Sequence, residues 1–112
     1  PSFAEGFCLP VLEAQALGCP VICSNRSATP EIAGAGALTF DPADPAALTR
    51  CLCRLLDEPG LRDALIARGH DNVRLYSWAE TARRYEAVLL DALAEASRAT
   101  PAREVPHAHP AP

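Results

Sequence analysis

Apolar and polar residues alternate in blocks along the first 40 positions, in an order that predicts a parallel α/β arrangement. Residues 20–23, Pro-Val-Ile-Cys, form a short continuous apolar run of the kind that parallel strands show when both faces are covered. Residues 37–40, Ala-Leu-Thr-Phe, predict a second short strand, and residues 1–3 are interpreted as the end of an earlier buried strand. A helix between residues 1–3 and residues 20–23 completes a βαβ unit with these two strands.

The first helix is bounded by residues that favour helix ends. It is predicted to begin near Leu9, with Pro10 in its first turn, where a missing N–H costs least. Gly18 is the expected C-terminal cap. Its apolar side is expected to consist of Leu9, Leu12, Ala16 and Leu17.

Four further helices are indicated by caps and helical periodicity. Thr29 is predicted to cap a short helix that ends by Gly34 or Gly36, and Asp44 caps the next, which carries Leu48, Leu52, Leu55 and Leu56. Another helix carries Leu61, Leu65, Val73 and Tyr76. Gly69 is interpreted as a soft point, a position where the helix is weakened. Ser77 and Glu80 form a capping box for the last helix, whose stripe is Trp78, Ala82, Tyr85, Leu89 and Ala92.

The 112 residues correspond to about one small domain. We assign residues 1–96 to a folded domain and residues 97–112, which hold four prolines, to a disordered Pro/Ala-rich tail. The chain starts at Pro1 without a methionine, so we expect it to be the C-terminal piece of a longer protein. No apolar run approaches the roughly 20 residues of a transmembrane helix.

Net charge and cysteine content argue against several kinds of binding partner and site. The net charge of −4 and the absence of lysine argue against a nucleic-acid partner. Five cysteines without a framework spacing predict reduced thiols and a cytoplasmic protein. No metal site is expected from the candidate pairs of ligands. Cys51 and Cys53 would point to different sides of a helix, and Asp41 and Asp44 serve to cap one. His107 and His109 lie in the tail and offer only two ligands.

The candidate chemistry lies in residues 4–13, a turn followed by a helix start. Free N–H groups at a helix N-terminus attract an anion, and the helix dipole adds to that attraction. Glu5 in the turn and Glu13 in the helix are carboxylates that can accept hydrogen bonds from sugar hydroxyls. A ligand with a diphosphate in its middle and hydroxyls at both ends, such as a sugar nucleotide, fits this order.

Residues 1–25, PSFAEGFCLPVLEAQALGCPVICSN, resemble the donor-binding motif of retaining glycosyltransferases with the GT-B fold, in particular family 4. The resemblance continues through SATPEIAG, ALTFDPADP and YSWAETARRYEAVL, to about residue 93. It implies the Rossmann-like C-terminal half of a GT-B fold, incomplete at its N-terminus, and a hexosyltransferase that retains the anomeric configuration.

The resemblance also implies residue roles. Glu5, as the catalytic residue, binds hydroxyls of the transferred sugar, and Glu13 binds the ribose of the nucleotide. The backbone N–H groups of the turn face the sugar and the diphosphate, and belong to Gly6, Phe7, Cys8 and Leu9. The partners are a nucleotide-sugar donor, a hydroxyl acceptor and a missing N-terminal domain of the same chain, which would also allow peripheral attachment to the inner membrane face. No metal cofactor is expected.

Cys8 departs from the pattern, because the family commonly has glycine there. If this position requires a positive φ, cysteine brings strain of about 1–3 kcal/mol. A catalytic thiol is the less favoured alternative reading of Cys8. Two alternatives for the chain also stay open: a truncated, inactive nucleotide-binding module, and a GT-B relative with other chemistry, such as a sugar-nucleotide epimerase or a phosphorylase.

Overall fold

The computed structural model describes residues 1–99, in two units, of which the first spans Pro1–Tyr76 and the second begins at Ser77. The first unit contains α1 (Leu9–Ala16), β1 (Val21–Ser24), α2 (Thr29–Ala33), a 3₁₀ turn (Gly34–Gly36), β2 (Ala37–Phe40), α3 (Pro45–Asp57) and α4 (Leu61–Val73). The second unit contains α5 (Trp78–Ala99). Residues 97–99, predicted to belong to the tail, are the last turn of α5. The rest of the predicted tail, with His107 and His109, lies outside the described residues.

The two strands form a parallel sheet, with Val21 opposite Ala37 and Ser24 opposite Phe40. Both strands fall on the predicted apolar runs to within one residue, and the α/β class is confirmed. The strand end predicted at residues 1–3 is wrong for this structure: these residues are irregular, and Phe3 is 67% exposed. Residues 1–3 would need a neighbouring strand to complete their hydrogen-bond ladder, and among residues 1–99 the sheet consists of β1 and β2 alone.

Helix α1 ends in a Schellman motif at the predicted glycine. Gly18 adopts a φ of +69°, which glycine tolerates because it has no Cβ. Its N–H donates to the carbonyl of Gln15 at 3.1 Å, and the N–H of Cys19 donates to the carbonyl of Ala14 at 2.9 Å. These two bonds satisfy carbonyls that the helix itself leaves unpaired.

The apolar side predicted for α1 is only partly right. The helix buries Val11, Leu12 and Gln15, whereas Leu17 is 81% exposed and Leu9 is also exposed. Val11 packs in the core cluster with Val21, Cys23 and Ala33. Leu9 and Leu17 lie off this face, and Gln15 takes one of its buried positions, which a glutamine can do at low cost only when its amide is hydrogen-bonded.

Gln15 is 1% exposed and joins α1 to two other helices. Its Nε2 donates to the carbonyl of Ala33 at the end of α2, and its Oε1 accepts from Asn72 Nδ2 of α4, both at 2.8 Å. Asn72 Nδ2 also donates to the carbonyl of Ile32 at 2.8 Å. A buried, satisfied amide network therefore connects residues that lie 57 positions apart in the sequence.

Two glycines let α4 approach the 3₁₀ turn closely. A Cβ added to Gly36 would lie 2.6 Å from the Cα of Gly69 and 2.6 Å from Gln15 Nε2. Gly69 itself is buried, and a Cβ there would meet the Gln15 side chain at 3.0 Å. The interpretation of Gly69 as a soft point is therefore wrong: it is a close-packing position.

Two predicted N-caps have different outcomes. Asp44 caps α3, because its Oδ1 accepts from the N–H of Ala47 at 3.1 Å, as predicted. Thr29 does not cap α2: Ala28 is the N-cap, without a side-chain bond, and Thr29 is 2% exposed within the helix. The Thr29 side chain points inward, so its hydroxyl cannot reach the N–H groups at the helix start.

Helix α4 ends at Val73 rather than reaching Tyr76, because the N–H groups of Leu75 and Tyr76 donate three residues back, in tight turns.

In the second unit, Ser77 Oγ accepts from the N–H of Glu80 at 3.4 Å, one half of the predicted capping box. The predicted apolar stripe of α5 is exposed. Within residues 1–99, no helix combines the length and the apolar character needed to cross a membrane.

Replacing Gly36 with alanine should destabilise the first unit by about 2 kcal/mol, because the new Cβ would overlap the Gly69 backbone. Gly6→Ala is the matched control, since nothing lies within 4 Å of the corresponding Cβ. Urea unfolding followed by circular dichroism measures both variants. Equal midpoints for Gly36→Ala and the parent would contradict the close-packing assignment.

Candidate functional site

The predicted binding turn runs from Glu5 into the start of α1, and its conformation is set at Cys8. Cys8 is the N-cap of α1 and adopts φ 71° and ψ 57°, the left-handed region that few residues other than glycine enter. Its carbonyl accepts from the N–H of Val11 at 3.1 Å, which starts the helix. The condition under which cysteine at this position brings strain is therefore met.

Four consecutive N–H groups of the turn are available to a ligand. Among residues 1–99, the N–H groups of Gly6, Phe7, Cys8 and Leu9 donate to no protein acceptor. Pro10 follows as a residue without an N–H, and α1 contributes the positive end of its dipole at the same place. Such a cluster of unpaired donors is suited to a phosphate or another anion.

Glu5 is half-buried and is held by two serines. Its carboxylate Oε1 accepts from Ser2 Oγ at 2.7 Å, and its backbone carbonyl accepts from Ser27 Oγ at 2.8 Å. One carboxylate oxygen has no recorded partner among the described residues, so Glu5 can accept a further hydrogen bond from a ligand hydroxyl.

Glu13 lies on the exposed face of α1, one turn after Leu9. With a rise of about 1.5 Å per residue, it lies roughly 6 Å along the helix axis from Leu9. Its carboxylate makes no ion pair or side-chain hydrogen bond within residues 1–99. Glu5, the turn amides and Glu13 thus lie along one contiguous stretch of turn and helix, and their assignment to a ligand stays a prediction.

Two contacts at the turn were missed by sequence reasoning. Ser27 contacts Glu5 from the loop that follows β1, and it too has a positive φ, of 57°. Tyr76 packs edge-to-face on Phe7, with ring centroids 5.8 Å apart and an interplanar angle of 84°. Neither contact has a local sequence signal, since the partners lie 22 and 69 positions apart.

A cavity of about 220 Å³ lies beside the turn, against β1. Of the predicted binding residues, only Cys8 lines it, together with Val11, Cys23 and Ser24. The hydroxyl of Thr29, which also lines it, is buried and has no hydrogen-bond partner among the described residues. The walls are mostly apolar, so this cavity is a poor match for sugar hydroxyls or phosphates.

The thiols near the site do not favour nucleophilic chemistry. Burial, with a smaller contribution from the neighbouring Cys8, raises the pKa of Cys23 to about 11, so this thiol stays protonated at neutral pH. His70, the histidine among residues 1–99, lies against Gly18 at the other end of α1. Cys8 thus has no histidine base beside it. In the same part of the chain, no three His, Cys, Asp or Glu side chains converge as a metal site would require.

Comparison with known proteins identifies the fold family. The family model described as "Glycosyl transferases group 1" matches residues 1–72. The chain is 41% identical over 78 residues to the "O-antigen chain mannosyltransferase B" of Escherichia coli, covering 70% of this chain. It is 40% identical over 98 residues to the "MMP alpha-(1->4)-mannosyltransferase" of Mycolicibacterium hassiacum, covering 84% of this chain.

A third relative is the "D-inositol 3-phosphate glycosyltransferase" of Salinispora tropica, 39% identical over 101 residues, which cover 85% of this chain. In each case the match is a small part of the relative. The chain spans 20% of the first relative, 24% of the second and 20% of the third. The similarity therefore concerns one portion of these longer proteins.

Replacing Cys8 with glycine should raise the free energy of unfolding by about 1 kcal/mol. Relief of left-handed strain, about 1–3 kcal/mol, outweighs the lost packing and the greater backbone entropy of unfolded glycine. Cys53→Gly, in the middle of α3 and exposed, is the matched control and should lose about 0.3–0.5 kcal/mol, the difference between the helix propensities of cysteine and glycine. Denaturant titration of both variants measures the difference, and a loss at both sites would contradict the strain at Cys8.

Proposed function

The chain belongs to the glycosyl transferases group 1 family, and we propose that it is the donor-binding part of a transferase that moves a sugar from a nucleoside diphosphate to a hydroxyl acceptor. The observation that carries this proposal is a contiguous run of unpaired backbone donors between two carboxylates. Four unpaired amides at the start of α1 lie between Glu5 and Glu13, as a diphosphate lies between a sugar and a ribose.

In the proposed reaction, the bond between the anomeric carbon and the diphosphate oxygen breaks, and its electron pair leaves with that oxygen. The acceptor oxygen bonds to the carbon and gives its proton to the departing diphosphate. Negative charge grows on the departing diphosphate, while the sugar takes on oxocarbenium character. The N–H groups of Gly6, Phe7, Cys8 and Leu9 stabilise that charge, and the dipole of α1 acts in the same direction. The anomeric configuration is retained.

The two carboxylates have separate tasks in this proposal. Glu5 accepts hydrogen bonds from the sugar hydroxyls and holds the anomeric carbon at the turn, whereas Glu13 accepts from the ribose. The Ser2 hydroxyl orients the Glu5 carboxylate, because it already donates to Oε1 at 2.7 Å. Glu13, unpaired within residues 1–99, can turn towards the ribose without breaking a protein contact.

We further propose that this chain works within a longer protein whose preceding domain supplies the acceptor site and the basic contacts to the phosphates. The chain spans about a fifth of the relatives it matches, which supports that division. By itself it is then expected to be inactive. Because two of the relatives are named as mannosyltransferases, nucleoside-diphosphate mannose is the first donor to test with the complete protein.

Glu13→Ala should weaken binding of the nucleoside diphosphate to the complete protein by about tenfold or more, since a hydrogen bond to a charged group contributes about 1.5–3 kcal/mol. Glu5→Ala should leave that binding within about twofold and reduce turnover by a similar factor of ten or more, because it contacts the sugar. Calorimetry and a transfer assay separate the two effects. Glu95→Ala, on the exposed side of α5, is the control. Unchanged affinity in Glu13→Ala would refute the ribose assignment.

Transfer should not require a divalent metal, because the turn amides and the dipole of α1 stabilise the diphosphate in the proposed reaction. Treatment of the complete protein with a chelator, followed by gel filtration, should leave the initial rate unchanged. A loss of rate that Mg²⁺ or Mn²⁺ restores would show that the amides alone do not suffice.

A further inference from the structure

Ser27 has the geometry of a residue that controls the binding turn from outside it. Its Oγ donates to the backbone carbonyl of Glu5 at 2.8 Å. Within residues 1–99, this is the one hydrogen bond between the loop after β1 and residues 1–8. Ser27 makes it from a left-handed conformation, with φ 57°, which a serine enters only at a cost in free energy.

The loop that carries Ser27 is fixed at the end of the sheet. The N–H of Asn25 donates to the carbonyl of Phe40 at 2.8 Å, and the N–H of Arg26 donates to Ser24 Oγ at 3.1 Å. Arg26 Nη2 pairs with Asp41 Oδ2 at 2.7 Å. A hydrogen bond from the Ala43 N–H and the Arg26 contact lower the pKa of Asp41, so this anchor stays charged at neutral pH. Ser27 is therefore presented to Glu5 by a supported loop.

The carbonyl that Ser27 holds belongs to the peptide plane between Glu5 and Gly6. In a trans peptide, the C=O and the following N–H point in opposite directions, and no peptide bond among residues 1–99 is cis. Fixing the Glu5 carbonyl towards Ser27 therefore aims the Gly6 N–H at the other side. Gly6 has no neighbour within 4 Å of its would-be Cβ, so packing does not restrain this plane.

We propose that Ser27 is a positioning residue for sugar transfer, which sets the direction of the Gly6 N–H through the Glu5 carbonyl. The inference rests on the proposed function, since the Gly6 N–H is one of the donors to the sugar diphosphate. Without the Ser27 hydroxyl, the Glu5–Gly6 peptide plane rotates, and the N–H spends part of its time turned away from the ligand.

The kinetic test uses Ser27→Gly in the complete protein. It removes the hydroxyl and also relieves the left-handed strain, so stability and activity should change in opposite directions. We expect kcat to fall about tenfold, a fraction of the 10²–10³ lost when one donor to a developing charge is removed outright. The KM for the donor should change by less than about threefold, because the N–H matters most as charge develops. The melting temperature should be equal or higher.

Three further variants complete the design. Ser27→Asn should recover most of kcat, because asparagine tolerates the left-handed region and its amide can donate to the same carbonyl. Ser27→Ala should lose kcat as Ser27→Gly does, without the gain in stability. Thr49→Ala removes a hydroxyl that donates to the carbonyl of Pro45 in α3, away from the turn, and should leave kcat unchanged.

A measurement independent of activity follows the turn itself. In ¹⁵N relaxation of the chain, the Gly6 amide should become more mobile in Ser27→Gly than in Ser27→Asn. Unchanged Gly6 dynamics, or full kcat in Ser27→Gly and Ser27→Ala, would overturn the positioning role. If Glu5→Ala and Glu13→Ala leave transfer intact as well, the proposed function fails. If those two variants lose transfer while Ser27→Gly keeps it, only this inference fails.

Discussion

The buried amide of Gln15 is the interaction on which the first unit depends most. It connects α1 to the end of α2 and to α4, through hydrogen bonds of 2.8 Å to Ala33 and Asn72. Loss of either partner would leave a buried polar group unsatisfied, at a cost of about 1–3 kcal/mol. Because α1, α2 and α4 share this one side chain, it links the packing of α1 to that of the two other helices.

Glycine makes that network geometrically feasible. Gly36 and Gly69 bring the 3₁₀ turn and α4 together below the Gln15 side chain, where a single Cβ would force the backbones apart. Helix α1 is thereby bonded at its middle and at its C-terminal cap, and the N–H groups of residues 6–9 have no protein acceptor among residues 1–99. Charge stabilisation at a reacting centre benefits from such an arrangement, since donors that are already fixed need not reorganise when charge develops.

Local signals made much of this fold predictable from the sequence. Continuous apolar runs located β1 and β2, and Asp44 and Gly18 marked helix ends, because such patterns and caps depend on neighbouring residues only.

The errors have a different origin. Gln15 looks like a surface residue until Asn72, 57 positions later, supplies its partner. Gly69 resembles a weak point of a helix until Gly36 is placed against it. The strand expected at residues 1–3 depends likewise on a neighbour that local sequence does not specify. The candidate binding residues are contiguous in sequence and could be proposed from a local pattern, whereas Ser27 and Tyr76 reach the turn from distant positions.

Both non-glycine residues with positive φ, among those described, lie at the candidate site. Cys8 is the N-cap of α1, and the Ser27 hydroxyl donates to the Glu5 carbonyl, so both strained residues belong to the turn or contact it. Strain of this kind persists only where the surroundings impose it, and here the core under Cys8 and the Arg26–Asp41 pair beside Ser27 do so. The two strained residues differ in the contact that their side chains make. The Ser27 hydroxyl makes a hydrogen bond that orients the turn, and glycine could not replace it. The Cys8 side chain contributes packing alone, and glycine would serve the same backbone at lower cost.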